Sequence, residues 1–215
     1  MKAVQINEYG SADVLTLTEV DKPTITDDQV LIEVHASSIN PFDVKVREGY
    51  LKDYVRLPLT LGGDVSGVVL EAGAKVSHLA VGDKVYGQAN AVGGKNSGAF
   101  AEYAAVRAAE LAKMPANTDF ASAAAAALTG LSALQALTDH MQLQAGQKVL
   151  VHGGAGGIGT VAIQIAKHLG AYVAATATGE GLDYAKELGA DEVIDYRAQQ
   201  FDELLKDYDA VFDTV

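Results

Sequence analysis

The sequence predicts an α/β protein in two parts: a partly closed β-barrel with irregular loops, followed by a doubly wound parallel sheet. Three observations predict it. Up to Pro115 the chain carries short apolar runs separated by glycine and proline. Beyond Pro115, strand patterns and helix patterns alternate at the spacing of βαβ units. A glycine-rich run stands where one of these strands gives way to the strongest helical stripe in the chain.

The first part opens with Met1-Lys2-Ala3-Val4-Gln5-Ile6, which alternates like a strand and is followed by no apolar core of a targeting peptide. Val30-Leu31-Ile32-Glu33-Val34 and Val65-Ser66-Gly67-Val68-Val69-Leu70 are further strands, the second closing at a turn over Glu71-Ala72-Gly73. Val81-Gly82-Asp83-Lys84-Val85-Tyr86 reads as a turn feeding a strand, and Ala101 to Val106 as another strand. Turn and loop residues are Pro23, Pro41, Pro58, Gly62, Gly63, Gly93, Gly94 and Gly98. The longest uncharged run, Phe120 to Thr138, is mostly alanine and interrupted by Gly130 and hydroxyls. It is too weakly apolar for a good membrane span and is read as a buried helix.

In the second part, Lys148 to His152 is a strand. The helix after it runs from Gly157 to Leu169, with Ile158, Val161, Ala162, Ile165, Ala166 and Leu169 forming one apolar stripe, and Gly170 ending it. Tyr172 to Thr176 is the next strand. A helix with Leu182, Ala185 and Leu188 stops at Gly189, and Glu192-Val193-Ile194 is a third strand. Phe201, Leu204 and Leu205 mark a helix, and Ala210-Val211-Phe212 begins a fourth strand. The domains are placed at 1–118 and 119–215.

Composition narrows the function. The 215 residues carry a net charge of -12, which repels phosphate backbones and anionic lipid surfaces, so neither nucleic acid nor membrane is an expected partner. There is no cysteine, which removes disulfides, thiolate nucleophiles and thiolate-held zinc. His35, His78, His140, His152 and His168 stand in no tight metal-ligand spacing, so no metal is expected.

Gly154, Gly156 and Gly159 make G-x-G-x-x-G, here between a predicted strand and a predicted helix. Such glycines permit a tight turn, let the backbone approach a pyrophosphate, and let helix and strand pack closely. The helix N-terminus then offers free N–H groups to phosphate. Gly154, Ala155, Gly156, Gly157, Ile158 and Gly159 are therefore the expected cofactor-binding run of a Rossmann sheet; the plainer reading is a βαβ turn with no ligand. An NAD site places a carboxylate at the end of the second strand, about 20 residues past the first glycine. Ala174 to Thr178 offers none, so NADPH is expected over NADH, with Thr176 and Thr178 toward the 2′-phosphate. Glu180 would oppose that phosphate if it pointed inward, and is read as a solvated loop carboxylate.

Gly146 to Gly159, continuing to Gln164 and Lys167, resembles the signature of the zinc-independent quinone and enone oxidoreductase branch of the medium-chain dehydrogenase/reductases. Met1-Lys2-Ala3-Val4, Leu61 to Val69, Val81 to Val85, Gly98 to Tyr103, Leu128 to Ala133 and Leu188 to Asp191 extend the likeness along the chain. The resemblance implies a GroES-like catalytic domain, a Rossmann domain, an active site in the cleft between them, and a cytoplasmic homodimer. Where the zinc-dependent branch has Cys-His and Gly-His-Glu, this chain has Ile39-Asn40-Pro41-Phe42-Asp43 and Gly63-Asp64-Val65, so the resemblance implies no zinc. It implies hydride transfer from NADPH to a quinone or α,β-unsaturated carbonyl. Asn40 and Thr129 would lie beside the nicotinamide and Lys45 would donate to the acceptor oxygen. Tyr50, Tyr54 and Asp64 would line the acceptor pocket, and Tyr196 would lie near the adenine and 2′-phosphate. Without a ligand, Lys45 is a solvated surface lysine and Asn40 a turn residue before Pro41. Glu180 departs from the basic residue that NADPH-binding relatives often carry. The alternatives are a non-catalytic NADPH-binding protein and a reductase of enoyl thioesters or aldehydes.

The chain stops at the fourth strand of a fold that has six. The expectation is a protein longer by about 100 residues, its 215-residue form weakly active and prone to pair through an exposed edge.

Overall fold

The computed structural model describes residues 1–89 and 98–215; Gly93 and Gly94 lie outside the described residues. The chain forms two compact units, Met1–Leu128 and Thr129–Val215. The parting falls within a helix that runs on from the expected boundary at 118/119.

In the first unit, β1 (Lys2–Ile6) turns Ala3 and Ile6 into the interior and pairs antiparallel with β2 (Leu15–Glu19). β3 spans Gln29–Ala36, and α1 follows it at Pro41–Arg47. β4 (Leu59–Thr60) returns to the free side of β1, giving a three-stranded sheet. β5 (Asp64–Ala72), β6 (Lys84–Gln88), β7 (Tyr103–Arg107) and β8 (Leu111–Lys113) join β3 in a five-stranded sheet of order β7-β3-β5-β6-β8. Val30, Ile32, Val65, Val69, Val85, Ala104 and Val106 project from these strands into one buried cluster. Each large aliphatic side chain there contributes about 1.5–3 kcal/mol by burial. Two register shifts in β3, at Leu31/Ile32 and Val34/Ala36, bend it. The close approach of β3 to β5 leaves no space at Gly67, where a Cβ would lie 2.0 Å from the Glu33 carbonyl oxygen.

The sequence reading missed β2, β4, β8 and α1. The three strands are short or lie at sheet edges, where few apolar residues mark them. For α1 a signal existed: Asn40 at the cap, Pro41 at the first helical position and Asp43 at the third. Boundaries also differ. β5 continues through Ala72, and β7 begins at Tyr103, Ala101 making only an isolated bridge to Ala3.

The alanine-rich run forms α2 (Phe120–Gln135), continued by a π-helical turn at Ala136–His140. Phe120–His140 is long and apolar enough to cross a membrane by length and composition, with a mean hydropathy of 1.5. The sequence suggested a buried helix, and the helix is buried along one face only. Ala123, Ala124, Ala127, Ala133 and Leu137 are buried, while Leu131 and Leu134 are exposed. A near-uniform alanine run cannot announce which of its faces is covered.

In the second unit, β9 (Lys148–His152), β10 (Tyr172–Ala177), β11 (Glu192–Asp195) and β12 (Ala210–Asp213) form a parallel sheet of order β11-β10-β9-β12. Counted within this sheet, the order is third, second, first, fourth, as in a dinucleotide fold. α3 (Gly157–His168), α4 (Gly181–Glu187) and α5 (Phe201–Leu204) connect the strands. α3 buries Ala162, Ile163 and Ala166 against β9 and β10. Gly170, at φ 83°, ends it: its N–H bonds the Lys167 carbonyl at 3.0 Å, and the Ala171 N–H bonds the Ala166 carbonyl at 3.0 Å.

Candidate functional sites

The second unit holds the glycine turn between β9 and α3. Gly153 turns the chain at φ 68°, and Gly154 donates to the Thr176 carbonyl of β10 at 2.8 Å. A Cβ at Gly159 would lie 2.1 Å from the Gly153 carbonyl oxygen, so only glycine lets α3 pack so close to the turn. Gly156 caps α3 without a side chain. The first N–H groups of a helix have no acceptor inside it, so the α3 terminus presents donors and a partial positive charge. Gly156 and Gly157 leave this end uncovered by any side chain of their own, which is the opening a pyrophosphate needs. The Thr129 methyl stands 3.4 Å from the position of a Gly157 Cβ, so Thr129 of α2 borders the turn. Ala155 faces Gly181 at the start of α4, where a Cβ would come within 2.7 Å.

Thr176 has a different place from the one read in the sequence. It is 3% exposed, and its hydroxyl accepts from the Gly153 N–H at 3.2 Å and meets His152 Nδ1 at 3.1 Å. The side chain braces the turn from beneath rather than standing open to a 2′-phosphate. Periodicity could not show this, because Thr176 and Gly153 come together only when β9 and β10 align in parallel register. Thr178 is half-buried just past β10, and Tyr196 is half-exposed just past β11, its N–H 3.4 Å from the Ala177 carbonyl. The two therefore stand at the C-terminal ends of neighbouring strands. Glu180 is exposed at the start of α4.

The first unit holds a cavity of about 310 Å³ lined by Asn40, Phe42, Asp43, Gly63, Asp64, Gln88 and Leu128. Two carboxylates lie in its wall. Asp64, at the start of β5, is 0% exposed; one oxygen accepts from the Leu128 N–H at 3.0 Å. The other accepts from Asn40 Nδ2 at 2.8 Å and from the Ser38 hydroxyl. Ser37 donates to the Asp64 carbonyl at 2.7 Å. Asp43, 3% exposed, accepts from the Asn40 N–H at 2.9 Å and the Gly62 N–H at 3.1 Å. Burial pushes the Asp43 carboxyl above its ordinary range, opposed by those backbone donors and reinforced by the Asp64 charge. α2 is seated here by Ser66, which donates to the Phe120 carbonyl at 2.6 Å, and by the His35 ring stacked 4.2 Å from Phe120.

Asn40, expected beside the nicotinamide, and Asp64, expected in the acceptor pocket, line this cavity together. Lys45 is exposed on α1, one turn past Phe42, and is not part of the lining. Tyr50 and Tyr54 are 73% and 85% exposed beyond the end of α1, also outside the lining. Sequence reasoning missed Ser38, Asp43, Gln88 and the main-chain N–H of Leu128. Only Asp43 gave a local signal, as the third helical residue after Asn40-Pro41. Among the described residues, no group of three or more His, Cys, Asp or Glu is placed to hold a metal.

Comparison with known proteins agrees with both folds. The family described as alcohol dehydrogenase GroES-like domain matches residues 26–116, and the one described as zinc-binding dehydrogenase matches residues 157–215. The solved quinone oxidoreductase from Coxiella burnetii superimposes with a TM-score of 0.90 at 38% identity, covering 100% of this chain and 68% of that one. The chain belongs to the medium-chain dehydrogenase/reductases, in their zinc-independent quinone and enone oxidoreductase branch. An NADPH-dependent alkenal/one oxidoreductase of Arabidopsis thaliana chloroplasts is 42% identical over 222 residues, which cover 100% of this chain. The Escherichia coli quinone oxidoreductase solved with NADPH has a TM-score of 0.84 at 30% identity, covering 96% of this chain and 62% of that one. The chain spans 57% of the length of the Arabidopsis relative.

Proposed function

We propose that the protein transfers a hydride from NADPH to a quinone or an α,β-unsaturated carbonyl. The observation that carries the reading is the glycine turn at Gly153–Gly159, whose uncovered α3 terminus is shaped for a pyrophosphate. The relatives named for NADPH-dependent alkenal/one and quinone oxidation-reduction point to the same chemistry. When bound, NADPH supplies the hydride, which adds to the enone β-carbon or to the quinone; a proton from solvent completes the reduction. The charge that develops is delocalised over an enolate or a quinol monoanion, so less stabilisation is required than for the alkoxide of a simple alcohol.

The residues divide the work. Gly154 to Gly159 hold the pyrophosphate through main-chain N–H groups, and Thr129 borders that site. Thr178 and Tyr196 stand where the 2′-phosphate of NADPH belongs, past the ends of the second and third strands of the sheet. Glu180, exposed at the surface, keeps its charge in water. Asn40 and Asp64 shape the acceptor cavity of the first unit.

The test is loss of dihydronicotinamide absorbance when the protein is given NADPH with benzoquinone or a simple enone, with and without chelator. The expected result is turnover of at least one acceptor class, unchanged by chelator. No turnover of either class by protein shown to bind NADPH would refute the reading.

A further inference from the structure

We propose that Gln88 is the residue that recognises the acceptor, by donating a hydrogen bond from its side-chain amide to the acceptor's carbonyl oxygen. The inference rests on the hydride-transfer reading above and goes beyond it by assigning the donor.

The side-chain donors of the 310 Å³ cavity narrow to one. Asn40 is the obvious candidate, but its amide nitrogen is engaged twice, with Asp64 at 2.8 Å and with Ser38 at 3.1 Å. A carboxylate only accepts, so the amide edge facing Asp64 is the NH2 edge, and Asn40 has only its oxygen left to offer a ligand. Asp64 and Asp43 are acceptors, with the donors already named converging on them. The Leu128 N–H is directed at Asp64. Phe42 and the Leu128 side chain are apolar. Lys45 lies outside the lining.

Gln88 remains. It closes β6 and is the register partner of Asp64 on β5. Directly opposed residues of an antiparallel pair project from the same face of the sheet, with Cβ atoms about 4.5–5.5 Å apart, which sets the Gln88 side chain beside the Asp64–Asn40 network. It is half-buried, and its amide has no hydrogen-bond partner among the described residues. Among the described residues no side-chain polar atom sealed in the interior lacks a partner, so the Gln88 amide is not shut away, and Gln88 is one of the residues that line the cavity. Among the described residues, its two N–H groups are the side-chain donors of that wall that no protein group engages.

The chemistry needs such a donor. As hydride reaches the β-carbon, negative charge collects on the carbonyl oxygen, and an N–H already aimed at that oxygen stabilises the charge without reorganisation. A neutral amide also suits a wall that holds two carboxylates. It adds no charge, cannot be drawn into an ion pair with Asp43 or Asp64, and strengthens its bond only as the oxygen becomes anionic. The proton that completes the product comes from solvent, since an amide does not give one up. The cavity therefore selects a substrate with a carbonyl oxygen conjugated to the reacting carbon.

The experiment compares the wild-type protein with Gln88→Leu, which keeps the volume and loses the donor, and Gln88→His, which restores an N–H. Two readouts are taken: kcat/KM with cyclohexenone and NADPH, and the infrared carbonyl stretch of cyclohexenone bound with NADP+, where no turnover occurs. NADPH affinity serves as the folding control. Gln88→Leu is expected to lower kcat/KM by about 10- to 100-fold, to return the carbonyl stretch toward its value in apolar solvent, and to leave NADPH affinity within about twofold; Gln88→His is expected to recover part of both losses. Wild-type kcat/KM and an unshifted stretch in Gln88→Leu would overturn the proposal, as would a wild-type complex whose stretch shows no hydrogen bond. If the wild-type protein reduces no acceptor, the functional reading fails, while the carbonyl stretch still decides whether Gln88 holds the oxygen.

Discussion

Replacing Thr176 with valine separates two roles for one side chain. Valine keeps the shape of threonine, so packing beneath the glycine turn is preserved and only the hydroxyl is lost. In the structure that hydroxyl accepts from the Gly153 N–H at 3.2 Å and meets His152 Nδ1 at 3.1 Å. Removing the acceptor leaves a part-buried main-chain N–H without a partner, which costs about 1–3 kcal/mol. The bond is at the long end of the N–H···O range, which places the cost at about 1–2 kcal/mol. For a chain of this size that corresponds to a fall in Tm of about 2–8 °C. Because Gly153 sets the conformation of the turn, NADPH and NADH should weaken together, by about 5- to 30-fold if the whole cost is felt on binding. The assay is thermal unfolding by circular dichroism, with titration of both cofactors by protein fluorescence. An unchanged Tm combined with a loss confined to NADPH would refute the reasoning and return Thr176 to the 2′-phosphate.

Two further outcomes are expected. Gly159→Ala puts a methyl 2.1 Å from the Gly153 carbonyl oxygen and 2.8 Å from the Gly154 Cα, contacts with backbone that no rotamer relieves; α3 must move away from the turn by about 1 Å, and dinucleotide affinity should fall by at least about tenfold, measurable by the same titration. Partial burial raises the Asp191 carboxyl, but two 2.8 Å bonds from Lys167 and the Val173 N–H at 2.7 Å lower it more strongly and hold it below the ordinary aspartate range. A depressed carboxyl stabilises the fold above the unfolded-state pKa and loses that contribution as pH falls through the folded one. Asp191→Asn should therefore lower stability at neutral pH by about 1 kcal/mol, and the gap to wild type should close below about pH 4; thermal unfolding across pH checks it, and a gap that persists in acid would refute the role of charge.

How much of this was legible in the sequence depends on the range of the interaction. The glycines at 154, 156 and 159 declare themselves because their constraint is local: a tight turn followed by a helix that must pack on it. The α3 stripe and the Gly170 ending are equally local, and the structure places both within a residue of the reading. The rest required the chain to come together. Asp64 and Asn40 are 24 residues apart and meet only because α1 and the start of β5 converge on one cavity. Gln88 reaches the same wall through its antiparallel register with Asp64, and Thr176 turns inward through the parallel register of β9 and β10. The sequence by itself determined two fold patterns and the glycine turn between β9 and α3, since periodicity and backbone freedom are written residue by residue. Tertiary structure alone decided which polar side chains are engaged and which remain open, because a hydrogen bond is a property of two partners, and neither can name the other across a long loop.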